Sequence, residues 1–182
     1  MILVVAATQR ELAGANGLPV VICGVGPVEA AAATARGIER HAPGAILHVG
    51  IAGARRGCGI VTPELVIGSS AVYSDLTTEL APREVTASPK LVAAARRALP
   101  QAQVRPIGTS ASVGGGDCEI EAMEGFAVLR AAQLADVPAV EVRAVANEIE
   151  EADRSRWRFE DAFSAIASAT PLLIEEIEKC VS

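Results

Sequence analysis

Apolar positions along this chain fall mostly in short continuous runs. Ile2–Ala6, Pro19–Cys23, Ala45–Val49, Leu65–Ala71, Val104–Gly108 and Ala139–Val145 are rich in Val and Ile and bounded by Gly or Pro. That is the pattern of strands buried on both faces. Between them, Val28–His41, Pro89–Leu99, Glu121–Ala135 and Glu160–Cys180 carry Ala-rich amphipathic sequence that predicts helices. Pro27 and Pro89 stand where a first helical turn accepts proline. Alternating strands and helices predict an α/β fold with a central, mixed but mostly parallel sheet flanked by helices. No repeat, low-complexity linker or long charge run interrupts the 182 residues. Residues 1–182 therefore read as a single domain.

Ligands of such sheets bind beyond the carboxyl ends of the strands, so the residues there are the candidates for chemistry. Ala7-Thr8-Gln9-Arg10-Glu11 follows the first run, and Gly24-Val25-Gly26-Pro27 follows the second. Gly50-Ile51-Ala52-Gly53 follows the third. Thr109–Ser112 and then Gly114–Gly116 follow the fifth, and the sixth leads to Asn147. Met123-Glu124-Gly125 stands at the head of a helical stretch. Glycine lets a backbone approach a ligand closely and can turn an amide toward an anion. Each residue also has a plain structural role open to it. Glu11 can be a solvated carboxylate, Glu124 an acid favoured by a helix N-terminus, and Asn147 a turn residue. The Gly24–Pro27 turn lacks the third glycine of a dinucleotide fingerprint.

Charge and cysteine content narrow the function. A formal net charge of −6 argues against a nucleic-acid partner, which requires clustered Lys and Arg. No apolar run is long enough to predict a membrane span. MILVVAATQRE lacks a basic start and reads as a first strand rather than a signal peptide. Cys23, Cys58, Cys118 and Cys180 have no paired spacing, which fits reduced cysteines in a cytoplasmic protein. His41 and His48 have no ligand-like spacing, so no metal site and no cofactor is expected. His48 reads as a hydrogen-bonded core residue and His41 as a helix-end partner.

The ordered segments AATQRE, GVGPVEAAAAT, HVGIAGA, MEG and VRAVAN resemble the nucleoside phosphorylase–nucleosidase family over nearly the whole chain. The stretch RAVANEIEEADRSRWRFEDAF is similar to the futalosine hydrolase subgroup. The resemblance implies a nucleoside phosphorylase-like fold and a small-molecule purine nucleoside as substrate. It also implies a homo-oligomer and hydrolysis of an N-glycosidic bond. For the subgroup the base is hypoxanthine, released from futalosine in menaquinone synthesis. It further implies roles. Glu11 matches the acidic residue that activates water, Glu124 the glutamate that binds the ribose hydroxyls, and Met123 the methionine beneath the sugar. Asn147 stands where adenine-specific nucleosidases carry a catalytic Asp. The expected catalytic residues are Glu11 and Asn147. The expected substrate-binding set is Gly50, Ile51, Ala52, Gly53, Ser112, Met123, Glu124, Arg154 and Trp157.

This chemistry needs three groups. Positive charge develops on the ribose as the bond breaks, so a carboxylate must take the proton of attacking water. An acceptor must hold the 2′- and 3′-hydroxyls, and a group on the base must stabilise the departing purine. Arg154, Arg156 and Arg158 are open to two readings, a salt-bridged turn or a clamp for a substrate carboxylate such as the benzoate arm of futalosine. Trp157 and Phe126 can each be pocket wall or core.

Two departures from the family stand out. Only eight residues separate Glu11 from Val20, too few for the additional strand pair usual there. The aromatic residue that often stacks on the base also has no counterpart near Ser110–Gly116. The alternatives are a methylthioadenosine or S-adenosylhomocysteine nucleosidase, a phosphorylase, and a catalytically silent nucleoside-binding paralogue.

Overall fold

The computed structural model describes residues 1–181. Its strands are β1 (Ile2–Ala6), β2 (Val20–Ile22), β3 (Ala45–Ala54), β4 (Leu65–Tyr73), β5 (Glu84–Thr86), β6 (Gln103–Thr109), β7 (Ile120–Ala122) and β8 (Ala139–Glu148). Its α-helices are α1 (Pro27–His41), α2 (Pro89–Ala98), α3 (Gly125–Leu134) and α4 (Phe159–Val181). Proline opens α1 and α2 as expected, since a first-turn residue has no intrahelical partner for its N–H.

The strands form one mixed sheet in the order β2-β1-β3-β7-β6-β4-β5, with β8 paired to both β3 and β4. Five strand pairs are parallel and three antiparallel. The expected α/β architecture is therefore present. One feature was not anticipated: β3, β8, β4, β6 and β7 pair in succession and β7 returns to β3, closing a ring.

Closure divides the core into three parts. Ala52, Ile60, Val66, Ile107, Ile120 and Val145 cluster together, all from the ring strands or the loop beside them. Leu47, Val142, Leu91, Ile166 and Leu173 join one side of the sheet to α2 and α4. Leu3, Ile46, Val128 and Leu129 join it to α1 and α3. Strands buried in this way carry continuous apolar runs, which is why the sequence pattern reported them.

Several element boundaries differ from expectation. The helix expected over Glu121–Ala135 begins at Gly125, because Glu121 and Ala122 belong to β7 and pair with β3 and β6. β5 was not expected, and β3 and β8 run on to Ala54 and Glu148. Ile51–Gly53 and Asn147 thus lie within strands rather than after them, across a bulge at Ala52/Gly53. The short segment Leu12–Pro19 forms turns and no strand, and its Leu12 and Ala15 are buried in the core. Among the described residues, no helix is long and apolar enough to cross a membrane.

Candidate active site

A cavity of about 400 Å³ opens where the carboxyl ends of β1, β3, β7 and β8 converge. Every expected site residue except Gly50 lines it. A larger groove of about 690 Å³ runs between α1 and α3. Its lining is apolar apart from Tyr73 and Arg130, which leaves it without an acid–base pair.

Glu11 sits in a 3-10 turn, Gln9–Leu12, directly after β1. Its carboxylate is buried. Oε2 accepts from the Thr8 amide and the Thr8 hydroxyl, both at 2.8 Å. Oε1 accepts from the Ile51 amide at 3.2 Å. The Thr8-x-x-Glu11 spacing is that of a capping box, so the turn itself fixes the carboxylate. Oε1 keeps one lone pair beyond the Ile51 contact.

Glu124 stands immediately before α3, yet its side chain does not cap that helix. Oε1 accepts from the Gly26 amide at 3.1 Å and Oε2 from Arg143 at 3.3 Å. Gly26 has φ +95°, a conformation that L side chains rarely adopt, and this aims its N–H into the site. The bland reading of Glu124 as a helix-dipole acid misses both partners.

Arg143 was not singled out in the sequence, and it organises the floor of the pocket. It is 1% exposed. Nε donates to Glu141 at 2.7 Å, Nη1 to the Ile51 carbonyl at 3.3 Å, and Nη2 to both Glu124 and His48 Nε2. His48 Nδ1 lies 3.0 Å from the Val5 carbonyl. A neutral imidazole with its proton on Nδ1 satisfies both contacts. Burial, reinforced by the Arg143 charge, holds the His48 pKa well below its ordinary value. His48 is thus the hydrogen-bonded core histidine that was expected.

Gly50 lies behind the pocket wall. A β-carbon there would clash with Arg143 Nη1 and stand 2.7 Å from Glu11 Oε1. Gly50, expected among the ligand contacts, is not one of the residues that line the cavity. Its bare backbone leaves room above the strand for both the guanidinium and the carboxylate.

Asn147 is nearly buried beside Gly53, and its Nδ2 donates to the Glu148 carbonyl at 2.9 Å. One amide hydrogen and the amide oxygen stay uncommitted among the described residues. The loop bearing Ser112 and Val113 is tied at both ends. Asp75 accepts from Ser110 Oγ and the Ala111 amide, and Glu121 accepts from the Gly114 and Gly116 amides. Arg55 donates to Glu121 at 2.8 Å. Burial raises the Glu121 pKa, with Arg55 opposing the rise.

The outer wall comes from the far end of the chain. Asp153 caps a short turn, Arg154–Arg156, by accepting from the Ser155 amide and hydroxyl. The turn presents Arg154 and Trp157 to the cavity, and the first turns of α4 add Phe159 and Phe163. Trp157 both lines the pocket and packs, donating to the Glu151 carbonyl and standing 5.5 Å from Phe159. The three arginines separate. Arg156 pairs with Glu151 and Asp153, and Arg158 with Asp161. Arg154 lies over the Trp157 ring and has no carboxylate partner among the described residues. Phe126 is core, stacked on Tyr73 away from this cavity. Sequence reasoning missed Thr8, Arg143, Phe159 and Phe163. The capping-box spacing marked Thr8, and the i, i+4 spacing of the phenylalanines marked a shared helix face.

Comparison with known proteins bears on the family and the fold. A model described as the phosphorylase superfamily matches residues 8–116. Futalosine hydrolase of Streptomyces coelicolor is 43% identical over 58 residues, and that match covers 32% of this chain and 25% of the relative. A methylthioadenosine/S-adenosylhomocysteine nucleosidase structure from Neisseria meningitidis, in complex with methylthio-immucillin-A, superposes with a TM-score of 0.83. It is 20% identical, over 98% of each chain. A nucleosidase of the same name from Streptococcus pneumoniae, in complex with 8-aminoadenine, has a TM-score of 0.85. It is 19% identical, over 96% of this chain and 99% of that one.

Proposed function

Because this chain belongs to the phosphorylase superfamily, we propose that its cavity hydrolyses the N-glycosidic bond of a 6-oxopurine nucleoside, futalosine being the substrate that fits best. The observation that carries this reading is the pair of buried carboxylates, Glu11 and Glu124, disposed around Arg143 at one end of the sheet.

Water attacks C1′, the C1′–N9 bond breaks, and the bonding pair leaves with the purine. Glu11 Oε1 takes the proton of the attacking water. The purine N7 takes up a proton from solvent water, so that a neutral base departs, and Glu11 afterwards returns its proton to solvent. Glu124 has one lone pair left on each oxygen, enough for the 2′- and 3′-hydroxyls. Its negative charge also counters the charge that develops on the sugar. Met123 and the Ile51–Gly53 strand supply the apolar bed.

Asn147 supports a 6-oxopurine. Its free amide hydrogen suits O6, and its oxygen suits a protonated N7. An ionised Asp would face O6 with a second acceptor, which costs about 1–3 kcal/mol when buried. Arg154, Trp157, Phe159 and Phe163 support a 5′ side that carries an aromatic carboxylate, as futalosine does. An unpaired guanidinium over an aromatic wall suits a planar anion. The short curated match with a futalosine hydrolase points the same way, and the place of such a reaction is menaquinone synthesis.

The test compares release of free base from 6-oxo and 6-amino nucleosides in the wild type and in Asn147→Asp. The wild type is expected to favour the 6-oxo substrate, and the variant to weaken or reverse that preference by about tenfold or more. A wild type that prefers adenine nucleosides overturns the base assignment and favours the methylthioadenosine reading.

A further inference from the structure

We infer that Glu141 is a positioning residue, holding the Arg143 guanidinium by its Nε so that the other two nitrogens are delivered between Glu11 and Glu124. This rests on the nucleosidase reading. Glu141 and Arg143 are two residues apart on β8 and so point to the same face of the strand. Both are fully or almost fully buried.

Glu141 makes a single polar contact among the described residues. Oε1 accepts from Arg143 Nε at 2.7 Å, and Oε2 has no partner. His48 Nε2 is 4.0 Å away, beyond hydrogen-bonding distance, and it already accepts from Arg143. The rest of the carboxyl group lies against the first residue of α3, Gly125, where a β-carbon would overlap both carboxylate oxygens. The fold thus gives up a side chain at Gly125 to admit a buried acid with one unsatisfied oxygen. An apolar side chain would fill that space without stranding Oε2, but it would leave the buried Arg143 Nε–H without its acceptor. What distinguishes the acid is its grip on Nε.

That grip sets direction. A guanidinium is planar, and a fixed Nε fixes the line on which Nη1 and Nη2 stand. Nη2 meets Glu124. Nη1 reaches the Ile51 carbonyl and stands over Gly50 beside Glu11 Oε1. Burial raises the Glu141 pKa against the pull of Arg143. The contact with Nε needs only an oxygen acceptor, which a neutral acid or an amide also provides.

Two near-isosteric variants separate acceptor from volume. Glu141→Gln keeps an oxygen for Nε, whereas Glu141→Met fills the space without one. Gln is expected to lose no more than about threefold in kcat, and Met about 10²-fold, with KM little changed in either. Should the Met variant fail to fold, Glu141→Asp, which withdraws the acceptor by one methylene, is expected to show the kcat loss instead. Arginine-selective NMR gives a readout independent of turnover. The Arg143 Nε–H should exchange slowly in the wild type and in Gln, and quickly in Met or Asp. Equal kcat in the Gln and acceptor-less variants, or an Nε–H indifferent to all of them, overturns the inference. A wild type with no turnover and a Glu141-dependent Nε–H instead overturns the nucleosidase reading and leaves the positioning role standing.

Discussion

Glu11→Gln should lower turnover by about 10²–10⁴-fold, because it removes the proposed general base while keeping nearly the same shape. The surroundings add a second, smaller effect. The wild-type carboxylate accepts from Thr8 N–H on one oxygen and from Ile51 N–H on the other. A carboxamide can satisfy only one of those amides and turns its own NH2 toward the other. One buried donor then faces a donor, at a cost of about 1–3 kcal/mol in stability. Steady-state release of base, read beside a melting curve and a nucleoside titration, separates the two effects. Near-normal turnover in a folded variant would remove Glu11 from the mechanism.

Glu124→Ala should weaken nucleoside binding by about 10²-fold or more, since two charge-assisted hydrogen bonds to the diol are worth about 1.5–3 kcal/mol each. Free hypoxanthine, which has no hydroxyls to lose, should bind almost as well as before. Calorimetry with inosine and hypoxanthine distinguishes this from general damage. The substitution also takes a carboxylate from Arg143, whose Nη2 then keeps only His48. Equal losses for nucleoside and base would mean that Glu124 matters by holding Arg143 rather than by holding ribose.

The sequence revealed most of the strands because a sheet buried on both faces writes uninterrupted apolar runs. It concealed β5 and β7 because these three-residue strands, unlike the equally short β2, carry no apolar run. In β5 only Val85 is buried, so the segment lacks an apolar run altogether. β7 carries Glu121, a buried acid whose partners are Arg55 and two loop amides. No local periodicity can report Arg55, which is far away in the chain. The closed ring was hidden for the same reason, since it depends on pairings between segments far apart in the chain.

At the site, the motif residues on strand ends were legible, and the residues that hold them were less so. Arg143 disappears inside the apolar run of β8, yet Glu141 and Arg143 at alternate positions of a strand are a readable sign. Opposite charges two residues apart share one face and must be paired if that face is buried. Gly50 looked like a ligand contact because glycine permits close approach. The room it leaves is taken by Arg143 and Glu11. Arg154, Arg156 and Arg158 were one cluster in the sequence. Salt bridges hold two of them, and only Arg154 turns to the cavity.

In the proposed reaction, water activated by Glu11 is the nucleophile. Phosphate is already an anion and gains nothing from a carboxylate base, which would repel it instead. The decisive measurement is cleavage of a 6-oxopurine nucleoside, futalosine first and inosine second, in strictly phosphate-free buffer, with both products identified. Free hypoxanthine and a free sugar are expected, at a rate that added phosphate does not raise. Cleavage that stops without phosphate and yields a sugar 1-phosphate when phosphate is restored would contradict water as the nucleophile.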